Sequence, residues 1–114
     1  LLALAEAKLG ASNLDAAQKL VEKAMIQTPE GKQSARARQV LGEVYFSRGE
    51  FANAAKAFAA IALLYEDPEL TPRALQRASE AYSRAGSSEK ARELREELKR
   101  RYPKFGSAPS SSGG

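Results

Sequence analysis

Apolar and small residues recur along the chain at three- and four-residue spacing, the period of a helix with one buried face. Ala37, Leu41, Gly42, Val44 and Tyr45 follow it, and Gly49 ends the run. Glycine there suits the left-handed residue that closes a helix. These residues predict a helix over about 34–48. A second stripe holds Phe51, Ala54, Phe58, Ile61 and Tyr65, predicting a helix over about 51–65 that Asp67-Pro68 terminates. Thr71-Pro72 then reads as a capping residue followed by a first-turn proline. Near the C-terminus, Gly86 breaks one helix, Ser87 reads as the N-cap of the next, and that helix runs to Tyr102 before Pro103.

The pattern repeats. Shifted by 37 residues, the chain aligns on itself with eight identities between 36 and 66: Arg36, Ala37, Gln39, Glu43, Tyr45, Gly49, Ala54 and Tyr65 fall on Arg73, Ala74, Gln76, Glu80, Tyr82, Gly86, Ala91 and Tyr102. A fainter copy lies one period earlier, where Leu4, Glu6, Ala17 and Lys19 fall on Leu41, Glu43, Ala54 and Lys56. Each copy reads as two helices. One such hairpin cannot cover its own apolar side, so hairpins must stack. The small residues Gly42 and Ala54, with their counterparts Ala5, Ser79, Ala17 and Ala91, let helices approach; Leu41, Tyr45 and Phe58 fill the space between pairs.

Leu41-Gly42-x-x-Tyr45, then Gly49, then Ala54-x-x-x-Phe58 resembles the tetratricopeptide repeat. Tyr82, Gly86, Ala91 and Pro103 match in the last copy, and Leu4-Ala5, Ala17 and Pro29 in the first. The resemblance implies an all-α, right-handed α-α superhelix (a solenoid) of about three hairpins, a repeat domain over 1–105 with copies at about 1–31, 35–68 and 72–105. Departures are clear: the period is longer than the family's usual one, Arg38 stands where a large apolar residue is common, Lys8 replaces the helix tyrosine, and Ser88 and Arg95 replace Phe51 and Phe58 in the last copy. Ser88, Arg92, Arg95 and Lys99 suit a final helix that faces solvent. Bacterial envelope repeat proteins of the TolA-binding and outer-membrane-assembly kind are similar in these respects. That similarity points to the cell envelope over the cytoplasm, while the residues themselves leave the compartment open.

In such arrays the first helix of each pair lines the concave side. The face opposite Leu41 and Tyr45 carries Arg36, Gln39, Glu43 and Phe46, and one period on Arg73, Gln76, Glu80 and Ser83, with Arg77 and Arg84 alongside. The first copy adds Leu2, Glu6 and Leu9, so Glu6, Glu43 and Glu80 form a ladder. Glutamine can donate to and accept from a peptide backbone, and arginine can fork onto a carboxylate. The functional expectation is a peptide groove; the bland alternative is a solvated face whose charges pair with one another. The carboxylate clamp of some relatives is not expected, because Leu2, Glu6 and Val40 stand at its other positions and Glu6 would repel a carboxylate.

Composition narrows the rest. Ala, Leu, Glu, Lys, Arg and Gln dominate, and Cys, His and Trp are absent. Thiolate metal sites, disulfides and Cys or His nucleophiles are therefore excluded. No phosphate-binding glycine loop occurs and no metal constellation is evident, so no enzyme, cofactor or metal is expected. The net charge of +4 is local: residues 89–104 hold seven basic residues against four Glu, and the rest of the chain 11 against 10. That basic helix is the basis for a nucleic-acid reading. Glu93, Glu96 and Glu97 interrupt it and are spaced to pair with Arg100 and Arg101, which favours a solvated terminal helix. No run approaches the roughly 20 apolar residues of a membrane span.

The chain opens at Leu1 in what reads as mid-helix, as a piece of a longer repeat protein would. Leu1, Leu2, Leu4 and Leu9 are expected to form a sticky N-terminal end, available for self-association. Residues 106–114 read as a flexible Ser/Gly-rich tail. The sequence thus favours a scaffold that binds a protein or peptide. An architectural, self-associating spacer is the alternative, and the partner and the number of upstream repeats are left open.

Overall fold

A computed structural model describes residues 1–27 and 30–105. The expectations at Pro29 and for 106–114 lie outside them. Among the described residues the chain is all-helical, with no strand: α1 Leu2–Gly10, α2 Leu14–Gln27, α3 Gly31–Ser47, α4 Phe51–Leu64, α5 Leu70–Arg84 and α6 Ser88–Arg101. No helix is long and apolar enough to cross a membrane.

The period is visible in the turns. Of the four positive-φ residues among those described, Ser12 (63°), Gly49 (80°) and Gly86 (87°) stand 37 residues apart, and the fourth, Gly31 (84°), opens α3. At Gly49 the helix closes with two bonds, Gly49 N–H to the Phe46 carbonyl and Glu50 N–H to the Tyr45 carbonyl. Gly86 and Ser87 do the same onto Ser83 and Tyr82, and Ser12 and Asn13 onto Leu9 and Lys8. This double bond satisfies carbonyls the helix end would leave bare. The following helix starts two residues later in all three copies, at Leu14, Phe51 and Ser88.

Each helix packs on its chain neighbours. In addition α3 packs on both α1 and α5, whereas α2, α4 and α6 make no mutual contact. The odd helices therefore lie side by side and the even ones stand apart. The core is rich in alanine, so helices meet at short range. One cluster joins Leu2, Ala5, Val21, Ala24, Ala37 and Val40; another joins Ala54, Ala55, Phe58, Ala78 and Ala81, with Tyr45, Phe46, Tyr82 and Leu94 against it. One close approach is at Gly42, where a Cβ would sit 2.6 Å from Cε1 of the fully buried Phe58 ring. The counterparts Ala5 and Ser79 are larger, and the residues opposite change with them, to Val21 and Arg95.

Several expectations need correction. α3 starts one turn earlier than Ser34, at Gly31. α5 starts at Leu70, and Thr71 does not cap it. Asp67 does: its Oδ1 accepts from the N–H groups of Glu69 and Leu70, both at 2.8 Å. Those two bonds hold its carboxyl below the ordinary aspartate value, with Leu70 contributing most. Thr71 is fully buried instead, its hydroxyl donating to the Tyr65 carbonyl (3.0 Å) and accepting from Asp67 N–H (2.9 Å). Ser87 makes no side-chain cap bond. Leu2 is buried between α1, α2 and α3 rather than facing a groove, and Leu9 packs on the same cluster; Leu1 and Leu4 remain about half exposed (45% and 51%). On α6, Ser88, Arg92, Arg95 and Lys99 are exposed, as a last helix requires.

Candidate functional site

Of the ten residues expected to line a groove, nine fall in three areas, with Glu80 shared between two of them. Arg36 and Gln39 on α3 and Arg73 on α5 converge on one open cleft of about 310 Å³, with Glu6 of α1 across from them. Lys32, Glu69 and Leu70 complete its wall. All three odd helices contribute, because they lie side by side. Lys32 sits one turn before Arg36, and Leu70 one turn before Arg73. Sequence reasoning missed both by starting α3 three residues and α5 two residues late; extending the Arg36 and Arg73 faces backward by four and three positions would have found them.

Charge in the cleft is incompletely matched. Arg36 lies 3.6 Å from Glu6, with both side chains nearly half exposed, and Lys32 lies 3.9 Å from Asp67. These are loose, solvated contacts of small energetic value. Arg73 has no ion-pair partner among the described residues. The Oε1 atom of Gln39 is buried and accepts no hydrogen bond. A buried acceptor without a donor costs about 1–3 kcal/mol, so turning the Gln39 amide outward to meet a ligand N–H or O–H in the cleft relieves that cost.

The second group is closed. Arg77 forks onto Glu43, Nε to Oε2 at 2.8 Å and Nη2 to Oε1 at 2.6 Å, and its Nη1 reaches Glu80 at 3.1 Å. Its guanidinium stands 4.1 Å above the Phe46 ring, and that of Arg84 lies 5.2 Å from the same ring. Phe46 also meets Phe51 edge-on, with centroids 5.0 Å apart. The Glu43 carboxylate raises the Arg77 pKa further. Phe46 is thus half-buried and covered on two sides by arginines, not an apolar contact offered to a ligand, and the Glu43 and Glu80 rungs of the expected ladder are internally paired. This part of the face follows the bland alternative, although its main bond runs between α3 and α5 and not along one helix.

Gln76 and Glu80 border a third area, a hollow of about 400 Å³ between α5 and the end of α6, with Ser79, Arg95, Lys99 and Tyr102 around it. One period earlier the same positions are Gln39, Glu43, Gly42, Phe58, Ala62 and Tyr65, and there Phe58 is packed against Ala78 and Ala81 of the next hairpin, and the Tyr65 hydroxyl donates to Ser34 Oγ at 2.9 Å. The hollow is the open end of the stack. Ser83 is exposed and lies in none of the three areas.

No family model, curated protein or solved structure matches this chain. The site is therefore read from its own chemistry. The described residues bring no three His, Cys, Asp or Glu side chains together at metal-binding distance. On α6, Glu97 takes up Arg101 Nη1 at 2.6 Å, and Arg101 Nη2 reaches Glu66 at 3.1 Å, so this arginine of the basic helix is held internally. The cleft offers three positive groups, Lys32, Arg36 and Arg73, against two carboxylates, Glu6 and Glu69, with one apolar wall residue, Leu70. Glu6 lies against Arg36, which leaves Arg73 as the group for a ligand's acidic side chain, while Gln39 suits its backbone amides.

Proposed function

We propose that this chain is a tetratricopeptide-type interaction module that holds a segment of another polypeptide in the cleft between α1, α3 and α5. The side-by-side odd helices and separated even helices fit a stack that curves toward the odd helices, the concave side of a right-handed superhelix. The observation that carries the reading is the pairing, in one cleft, of Arg73 without an ionic partner and Gln39 with a buried unmatched acceptor. A peptide amide supplies the donor and an acidic side chain the carboxylate. The site comprises Arg36, Gln39 and Arg73 with Lys32, Glu69 and Leu70. Glu43, Phe46, Arg77, Glu80 and Arg84 brace α3 against α5. Binding rather than catalysis is the role, with no metal or cofactor. A peptide array probed with wild type and with Arg36→Ala/Arg73→Ala tests this. Loss of the strongest spots in the variant is the expected result, and equal binding by both proteins removes the cleft from consideration.

A spacer that self-associates through its N-terminal face is the second reading, and the half-exposed Leu1 and Leu4 favour it. Leu4→Asp separates the two, since it leaves the cleft intact and breaks that contact.

A further inference from the structure

The other side of the molecule carries a second surface, independent of the cleft. α4 is apolar almost all the way round: only Asn53 and Lys56 are polar in its fourteen residues. A helix of that kind is normally covered on every side. Ala54, Ala55, Phe58 and Ile61 are buried, but Leu63 and Leu64 stand 86% and 60% exposed. Beside them α4 and α6 fail to meet, which leaves a slot of about 230 Å³ over α5. Ala59, Ala62, Leu75 and Leu94 give it an apolar lining; on its α6 rim stand Lys90, which lies over the Tyr82 ring, Glu97, which is paired with Arg101, and Glu93.

We propose that this slot is a self-association surface, in which α4 of a second copy lies and seats its Leu63. Three features select a second copy over a foreign helix. A two-fold contact requires knob and socket on one patch, and here Leu63 borders the slot it would fill. Lys56 lies two turns before Leu63 on the same helical face, about 10 Å away along the axis, and it has no ion pair among the described residues. Glu93 has none either. A two-fold axis near Ala60 therefore brings each copy's unpaired base toward the other copy's unpaired acid, whereas a foreign helix would have to supply that base itself. Finally, Ala59, Ala60 and Ala62 let two α4 helices approach closely.

Sedimentation of the full chain from low to high micromolar concentration tests the proposal. Wild type dimerises, and Leu63→Asp weakens the dimer by about 30-fold or more, the scale of an interface hot spot. Its helical circular dichroism is unchanged, because the side chain is exposed in the single copy. Lys56→Glu weakens association, and Lys56→Glu/Glu93→Lys restores it. A wild type that stays monomeric throughout overturns the proposal. So does a dimer that survives Leu63→Asp but dissociates in Leu4→Asp, which would put the contact at the N-terminal face, and so does a charge swap that restores nothing.

Discussion

Replacing Gly42 by alanine tests how the hairpins nest. In an ordinary helix interior the change stabilises by about 0.5–1 kcal/mol, because alanine has less backbone freedom to lose. Here the new methyl would lie 2.6 Å from Cε1 and 2.8 Å from Cδ1 and Cζ of Phe58, well inside contact distance. The ring is fully buried, so moving aside means displacing its packed neighbours Ala54, Ala55, Ala78 and Ala81. Overpacking of this kind costs about 1–3 kcal/mol, which exceeds the propensity gain. Gly42→Ala is therefore expected to destabilise by about 1–2 kcal/mol net. The first copy shows the remedy, since it carries Ala5 opposite Val21. Phe58→Val alone leaves a cavity and costs about 2–3 kcal/mol. The double variant Gly42→Ala/Phe58→Val should lose at least about 1 kcal/mol less than the sum of the two, the signature of residues that share one space. Urea unfolding followed by circular dichroism at constant m-value reads all four proteins. A neutral or stabilising Gly42→Ala, or strict additivity in the cycle, would refute the close nesting of α3 against α4.

Three further outcomes follow from local geometry. Ser12 holds φ 63° where the later copies have glycine, so Ser12→Gly should raise stability by about 0.5–1 kcal/mol, measured as a shift in urea midpoint with no loss of helix. Arg77→Lys keeps the charge but loses the fork onto Glu43, costing about 1–2 kcal/mol; array binding should be unchanged, because that side chain is already occupied, and lost binding would return it to the site. The folded Asp67 carboxyl titrates below its ordinary value. Its stabilisation is therefore fully present above the unfolded aspartate pKa of about 3.9 and is lost as pH falls through the lower folded value. Asp67→Asn should flatten the acid limb of stability against pH, and an unchanged limb would show that the cap contributes nothing.

Helix number, period and turn sites were legible because they depend on local chemistry: glycine at positive φ, small residues at close approaches, and large ones between them. Less legible were features set by packing between copies. Leu2 has groove spacing on paper but points into the core beside Val21 and Val40. Phe46 has the same spacing, yet Arg77 and Arg84 from the next hairpin cover it, and no periodicity within α3 announces two arginines arriving 31 and 38 residues later. Asp67 was read as a helix end when it begins the next helix, because Asp-Pro signals both. The cleft was partly legible: the repeated Arg-Ala-x-Gln marks Arg36, Gln39 and Arg73, while Lys32 and Leu70 lie in helix starts that are hidden, one because Glu30 makes no side-chain cap and the other by the double meaning of Asp-Pro.

The central claim is that a polypeptide partner occupies the cleft formed by the odd helices. It is tested most directly by titrating isotope-labelled protein with the strongest array peptide and mapping amide shifts by NMR. The largest changes are expected to cluster at Lys32, Arg36, Gln39, Leu70 and Arg73, with the side-chain amide of Gln39 moving alongside them. Changes concentrated on α6 or on the outer face of α4, with those residues silent, would contradict it.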